Sequence, residues 1–238
     1  MTELLDIVLE AHGGLDRWNR LSTIKAKLTV AGAIWEFKQK PGLLTDVTFE
    51  SGVHDQHQIV YRDFAGKGNQ SVFHPDKLFV KNEQGEILWT RDNPRNAFDV
   101  TSPWDELDVA YFSSYATWNY LTQPFTYTLP GFVTAEVASR TEDGETWRAL
   151  KITYPPTIAG HSREQTSYFG NDGLLRRHDY TVDILGGATG ANYTTNYQDC
   201  QGLMMPMTRR IYAYDEAMQQ VPEPLLVSID FRHVTFLS

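Results

Sequence analysis

Cysteine is almost missing from this 238-residue chain: Cys200 stands alone, so no internal disulfide can form and a buried, unreactive thiol is expected. An excess of basic charge is missing too. Lys and Arg total 21 against 30 Asp and Glu, and the net charge of −9 speaks against nucleic acid, whose phosphates require a basic field. The same balance speaks against anionic membrane surfaces. The one basic cluster, Arg176-Arg177-His178, runs directly into Asp179 and reads as paired surface charge. No apolar run approaches the ~20 residues of a transmembrane helix, so no stable membrane insertion is expected. The opening MTELLDIVLEAHGG carries Glu3, Asp6 and Glu10 where a secretory signal has a basic segment, which points to a cytoplasmic protein.

Several chemical motifs are also lacking. There is no Gly-x-Gly-x-x-Gly, no P-loop and no Gly-x-Ser-x-Gly, and 186-GGATG-190 has neither the lysine nor the following helix of a phosphate cradle. No cofactor is expected. Among seven histidines only His54 and His57 are tightly spaced, in a turn-like stretch without a third ligand, so a solvated loop is expected there and no metal. No Gly/Ser or Pro-rich linker and no internal repeat divides the chain, which predicts one domain over residues 1–238.

What is present reads as mainly β. Hydrophobic residues at 41% and charged residues at 21% suffice for a sizeable core. Thr2 caps a helix over about 3–12, stopped by Gly13-Gly14, and LDRWNRL adds a short turn. From Ile24 the period becomes two: Ile24, Ala26, Leu28 and Val30 alternate with polar residues. Further strands are predicted at 34–40, 43–50, 56–63, 69–74, 77–82 and 86–91. After an interruption they resume at 132–140, 145–155, 163–170, 174–185, 191–200, 204–214 and 225–237. Short turn signals such as Asp143-Gly144 and Asp172-Gly173 between them describe an antiparallel meander.

The interruption, 101-TSPWDELDVAYFSSYATWNYLTQPF-125, reads as an aromatic helix. Ser102 is the expected N-cap, Pro103 the first position, Asp105 the acid of a capping box and Pro124 the stop. Leu107, Tyr111, Tyr115, Trp118, Leu121 and Phe125 form one apolar stripe, with Phe112 and Tyr120 off it. A helix this aromatic must be covered, which suggests that it lies across the concave face of the sheet. Tyr111, Tyr115 and Trp118 are then expected to line any remaining cavity.

The densest polar stretch is 161-HSREQTSYFGNDGLLRRHDYTVDI-184. A two-residue turn at Asp172-Gly173 sets Phe169 opposite Arg176, Ser167 opposite His178 and Gln165 opposite Tyr180. That face, with Val182 and Ile184, is the expected interior. The other, with Glu164, Arg177, Asp179 and Asp183, is the expected solvated side. Gln165, Ser167, His178 and Tyr180 either satisfy one another or form the convergent polar groups of a ligand pocket, beside Phe169. In an enzyme, His178 would move the proton while Tyr180 or Gln165 orients the substrate. In the last hairpin, alternation does not choose between Tyr193/Met204/Arg210 and Cys200/Met205/Arg209 as the inner set.

Two stretches carry a family resemblance. AHGGLDRWNRLSTIKAKLTVAG is similar to the opening of LolA/LolB/LppX-like proteins, and 197-YQDCQGLMMPMTRRIYAY-214 resembles a second recurring feature of that superfamily. The terminal LLVSIDFRHVTF fits its last strand. The middle, 111-YFSSYATWNYLTQPF-125 with 147-WRAL-150 and 174-LLRRHDY-180, resembles a narrower group of uncharacterised bacterial proteins. The resemblance implies a curved antiparallel half-barrel with helices over its open side and an interior used for acyl chains or other lipids. The superfamily also includes VioE-like enzymes that use this sheet without a cofactor. Three functions stay open: binding of a hydrophobic or amphipathic small molecule, a cofactor-independent isomerase, cyclase or lyase, and an interaction module with a filled interior.

Overall fold

The computed structural model describes residues 2–238. Helices α1 (Glu3–Ala11) and α2 (Leu15–Trp18) precede β1 (Thr23–Ala31), and α3 (Ala33–Phe37) separates β1 from β2 (Val47–Gly52). Then come β3 (Ile59–Arg62), β4 (Gln70–Phe73), β5 (Lys77–Lys81) and β6 (Ile87–Asp92). The long α4 (Glu106–Thr122) follows. After it run β7 (Val133–Glu142), β8 (Glu145–Thr153), β9 (Glu164–Phe169), β10 (Leu175–Val182), β11 (Ala188–Cys200), β12 (Leu203–Tyr212) and β13 (Val227–Leu237).

All thirteen strands form one antiparallel sheet in the order β6-β5-β4-β3-β2-β1-β13-β12-β11-β10-β9-β8-β7. The sheet is two meanders joined where β1 pairs with β13, so its free edges are β6 and β7. These two strands are consecutive in sequence, and α4 is what connects them. A helix linking both edges of a curved, unclosed sheet has to cross its open side. The result is a curved half-barrel with α4 in its hollow, the mainly β architecture expected from the alternation. Among the described residues, no helix is long and apolar enough to cross a membrane.

Helix α4 has no solvated face: every residue except Glu106 and Asp108 is buried. Helices that are apolar all round belong inside. Its start differs from the sequence expectation. The N-cap is Asp105, not Ser102, and Pro103 lies outside the helix. Asp105 and Asp108 cap each other reciprocally: Asp108 N–H donates to Asp105 Oδ1 (2.9 Å) and Asp105 N–H to Asp108 Oδ2 (3.0 Å). Arg91 of β6 clamps both carboxylates, a combination Ser102 could not attract. Along the helix, Trp118 Nε1 donates to Gly52 O (2.9 Å) and the Tyr61 hydroxyl to Thr117 Oγ1 (2.7 Å), seating it on β2 and β3.

Three further expectations are corrected. Residues 34–40 do not form a strand; their first four belong to α3. Gly32, at φ +119°, turns the chain out of β1, where a Cβ would run into Leu226 O. Ala33 and Ile34 N–H then bond to Leu225 O and Leu226 O (3.0 and 3.1 Å). Asp172-Gly173 is not a two-residue turn. Gly170 N–H bonds Leu174 O (3.0 Å), a longer connection, and Arg176 bulges out, so Phe169 faces Leu175 while Ser167 still faces His178. Arg177 and Asp179, expected on a solvated face, are 0% and 3% exposed. Arg177 forms a two-point ion pair with Asp179 (2.6 and 3.0 Å) and bonds Glu142 Oε2 (2.9 Å), Tyr193 OH (2.9 Å) and Met218 O (3.0 Å).

Candidate functional site

Between α4 and the concave sheet lies a cavity of about 270 Å³, close to the lower end of small-molecule pockets at roughly 300 Å³. Phe112, Ala116 and Tyr120 of α4 form one wall, and Val182 of β10, Ile211 of β12 and Val227 of β13 the other. The rim is α3 with Val100. Phe37 and Val100, both exposed, stand at the mouth. Lys38 draws the 100–102 stretch over the rim by donating to Val100 O (2.6 Å) and Ser102 O (3.1 Å). The segment expected to be a strand is therefore the lip of the cavity.

The floor is made by Tyr120 and Tyr180, whose hydroxyls are 2.6 Å apart. Tyr180 lies flat over Gly190, the residue opposite it on β11, because glycine leaves room for the ring. Gly190→Ala is expected to push Tyr180 toward the cavity and to destabilise the fold by about 1–3 kcal/mol, read from the urea midpoint; an unchanged midpoint contradicts this packing. Tyr120 also contacts His161 Nε2 (2.8 Å), Tyr115 OH contacts His161 Nδ1 (3.1 Å), and the His161 ring stacks on Tyr180 at 4.1 Å. Burial pushes the Tyr120 phenol up to about 12 and the Tyr180 phenol well above 10, so both stay protonated at neutral pH.

His178 belongs to a second, closed chain behind the floor. Gln165 Nε2 donates to Ser162 O (2.9 Å), which turns Gln165 Oε1 toward His178 Nε2 (2.6 Å); this shorter contact takes the imidazole proton, with Gln123 Nε2 3.2 Å from the same nitrogen. Nδ1 then accepts from the Ser167 hydroxyl (2.8 Å), and Ser167 Oγ from Tyr127 (2.8 Å). Burial, with a smaller contribution from Arg209 and His161, holds His178 well below the usual imidazole range. His161 is lowered to about 3, by burial first and Arg95 second. Both imidazoles are neutral at physiological pH.

Of the residues singled out from sequence, Tyr180 lines the cavity. Gln165, Ser167, Phe169 and His178 are buried behind it, and Tyr115 and Trp118 are packed into the core. Tyr111 borders a separate polar cleft with Arg95, Ser162 and Asp183. Sequence reasoning missed His161, Asn192, Arg209 and the cavity-facing side of α4. Arg209 carried one faint signal: a lone cation on the parity shared by Met205, Met207 and Ile211, all of which are buried.

No protein-family model matches the sequence, and no curated protein is significantly similar to it. Solved structures are similar in fold. A DUF1329 family protein from Desulfovibrio piger aligns over 98% of this chain and 91% of its own, at TM-score 0.54 and 11% identity. A LolA superfamily protein from Nitrosomonas europaea aligns over 97% of this chain and 92% of its own, at TM-score 0.53 and 10% identity. Likeness at such identities concerns the fold. The chain has the LolA-like half-barrel fold, as its opening and last hairpin implied.

Proposed function

We propose that the protein binds a small hydrophobic or amphipathic molecule in the cavity between α4 and the concave sheet. The observation that carries this reading is the cavity itself: about 270 Å³ of interior lined almost wholly by apolar side chains, beside a rim with exposed Phe37 and Val100. Well-packed interiors leave few voids larger than a water molecule, so a space of this size enclosed by aliphatic and aromatic walls favours an apolar occupant. Its size suits one short chain or a small ring system rather than several acyl chains. The use of such half-barrel interiors for acyl chains or other lipids, implied by the family resemblance, points in the same direction.

The competing enzymatic reading makes His178 the acid or base, with Tyr180 and Gln165 orienting the substrate. His178 lies off the cavity, with its ring nitrogens engaged by Ser167 and Gln165. Binding is therefore the reading that the geometry supports best.

Ala116→Leu tests it. The extra carbons enter the cavity from a helix that leucine suits well. Saturable fluorescence of the neutral probe N-phenyl-1-naphthylamine is expected with the natural protein, and an affinity at least about tenfold weaker with the variant, whose thermal stability is unchanged or higher. Equal probe binding by both proteins contradicts the reading.

A further inference from the structure

Two arginines are equally buried and oppositely treated. Arg177, 0% exposed, directs Nε, Nη1 and Nη2 at five acceptors, two of them on Asp179 and one on Glu142. That uses its full set of N–H donors. Arg209, 1% exposed, makes one such bond, from Nη2 to Tyr120 O (2.6 Å), and its Nε and Nη1 meet no acceptor among the described residues. Burial pushes its guanidinium below the usual arginine range, and no carboxylate stands among the groups that offset this. A buried cation ordinarily has an anion beside it. Here the protein does not supply one.

The location of this unpaired charge is informative. Asn192 faces Ile211 across β11 and β12, and Thr194 faces Arg209, so Asn192 and Arg209 share the concave face with Gly190 and Ile211 of the cavity wall. Along each strand they are the next inward position beyond the floor. Asn192 is 0% exposed, and among the described residues neither amide atom makes a hydrogen bond of good geometry, the Tyr120 hydroxyl being its polar neighbour. Tyr120 separates the two regions: its ring lies 4.7 Å from the Arg209 guanidinium and lines the cavity on its other side. An apolar cavity thus adjoins a buried cluster that holds unmet donors and a positive charge.

We propose that Arg209 and Asn192 form the head-group end of the site and take the carboxylate of an amphipathic ligand whose apolar body fills the cavity. This rests on the binding function proposed above and specifies its ligand class. The guanidinium edge not used by Tyr120 O offers two parallel N–H groups to the two carboxylate oxygens, the geometry that arginine matches best. Asn192 Nδ2 adds a third donor. The Tyr120 ring turns aside to join head and tail, exchanging its hydroxyl contact with Tyr180 for one with the ligand. A neutral head of the same length leaves the guanidinium without its counter-charge and binds less tightly.

Calorimetry with decanoate and decanol tests the proposal on the natural protein, Arg209→Gln and Arg209→Lys, with a thermal melt of each. The natural protein is expected to bind decanoate at least about tenfold more tightly than decanol. Arg209→Gln is expected to lose that preference, its decanoate-to-decanol affinity ratio falling to about one, and Arg209→Lys to retain part of it. Equal affinity for the two probes in the natural protein overturns the proposal, as does a glutamine variant that weakens both alike; buried water then satisfies Arg209. The first comparison needs no variant, so a folding defect cannot obscure it. Decanol binding without a carboxylate preference defeats this inference alone, and binding of neither probe defeats the cavity reading with it.

Discussion

Lowering the pH from 7 to 4.5 is expected to remove most of the protein's stability. His161 and His12 are buried, and burial lowers them to about 3 and about 4 from 6.5. Between those values and 6.5 the unfolded chain binds protons that the folded chain refuses, so stability rises with pH across this window. It is fully present above 6.5 and is lost as the pH falls. Each group withdraws roughly 1.4 kcal/mol per pH unit, so the pair removes about 5 kcal/mol by pH 4.5, as much as many domains possess. His178 is lowered as well, by burial first, and acts in the same direction. Urea midpoints followed by circular dichroism at successive pH values measure this. A midpoint that holds steady to pH 4.5 would show that these rings are not enclosed. His161→Gln should flatten the slope by about 1.4 kcal/mol per pH unit.

Arg177→Met is expected to destabilise the fold by about 3–5 kcal/mol, the usual effect of breaking a buried ion pair from one side. Asp179, 3% exposed, loses its two-point partner, and Glu142 and Tyr193 each lose a donor. Replacing Arg177 and Asp179 together by Met and Leu should restore much of the loss, because no uncompensated charge then remains inside. Chemical denaturation of both variants separates the effects. A single variant within about 1 kcal/mol of the natural protein would place Arg177 in water. Arg209→Gln offers a contrast, since the protein supplies that guanidinium with no carboxylate.

The two arginines also mark where sequence reading stopped. Alternation located the sheet well, because a half-buried strand has to alternate: Ile24, Ala26, Leu28 and Val30 are buried in turn. It misread residues 34–40, where Ile34, Glu36 and Lys38 interleave with Trp35 and Phe37 as a strand would. Only the turn at Gly32 and the carbonyls of Leu225 and Leu226, nearly two hundred residues away in sequence, make that stretch a helix. It misread the outer face of β9 and β10 because charge was equated with solvent, whereas Arg177 lies under Tyr168, Tyr193 and Tyr214. The capping of α4 depended on Arg91, a partner no local motif reveals.

The site was only partly legible. Periodicity placed Tyr180 inward and Phe112 and Tyr120 off the main stripe of α4, yet it could not say which side of a fully buried helix would face a void. That is decided by how the helix is seated, through Trp118 on Gly52 and Tyr61 on Thr117. Tyr115 and Trp118 consequently fill the core, and Ala116, small and unremarked in sequence, opens the space. His161 lies in a loop with no periodicity at all, and its pairing with Tyr115 and Tyr120 is purely tertiary.

The central claim, an occupiable cavity under α4, is tested most directly by methyl-resolved NMR during titration with decanol, a neutral probe. The account predicts saturable shifts concentrated on Ala116, Val182, Ala188, Ile211 and Val227, which line the cavity, with Val133 and Val137 on the exposed edge strand unmoved. Shifts that never saturate, or that are largest at Val133 and Val137, would contradict it.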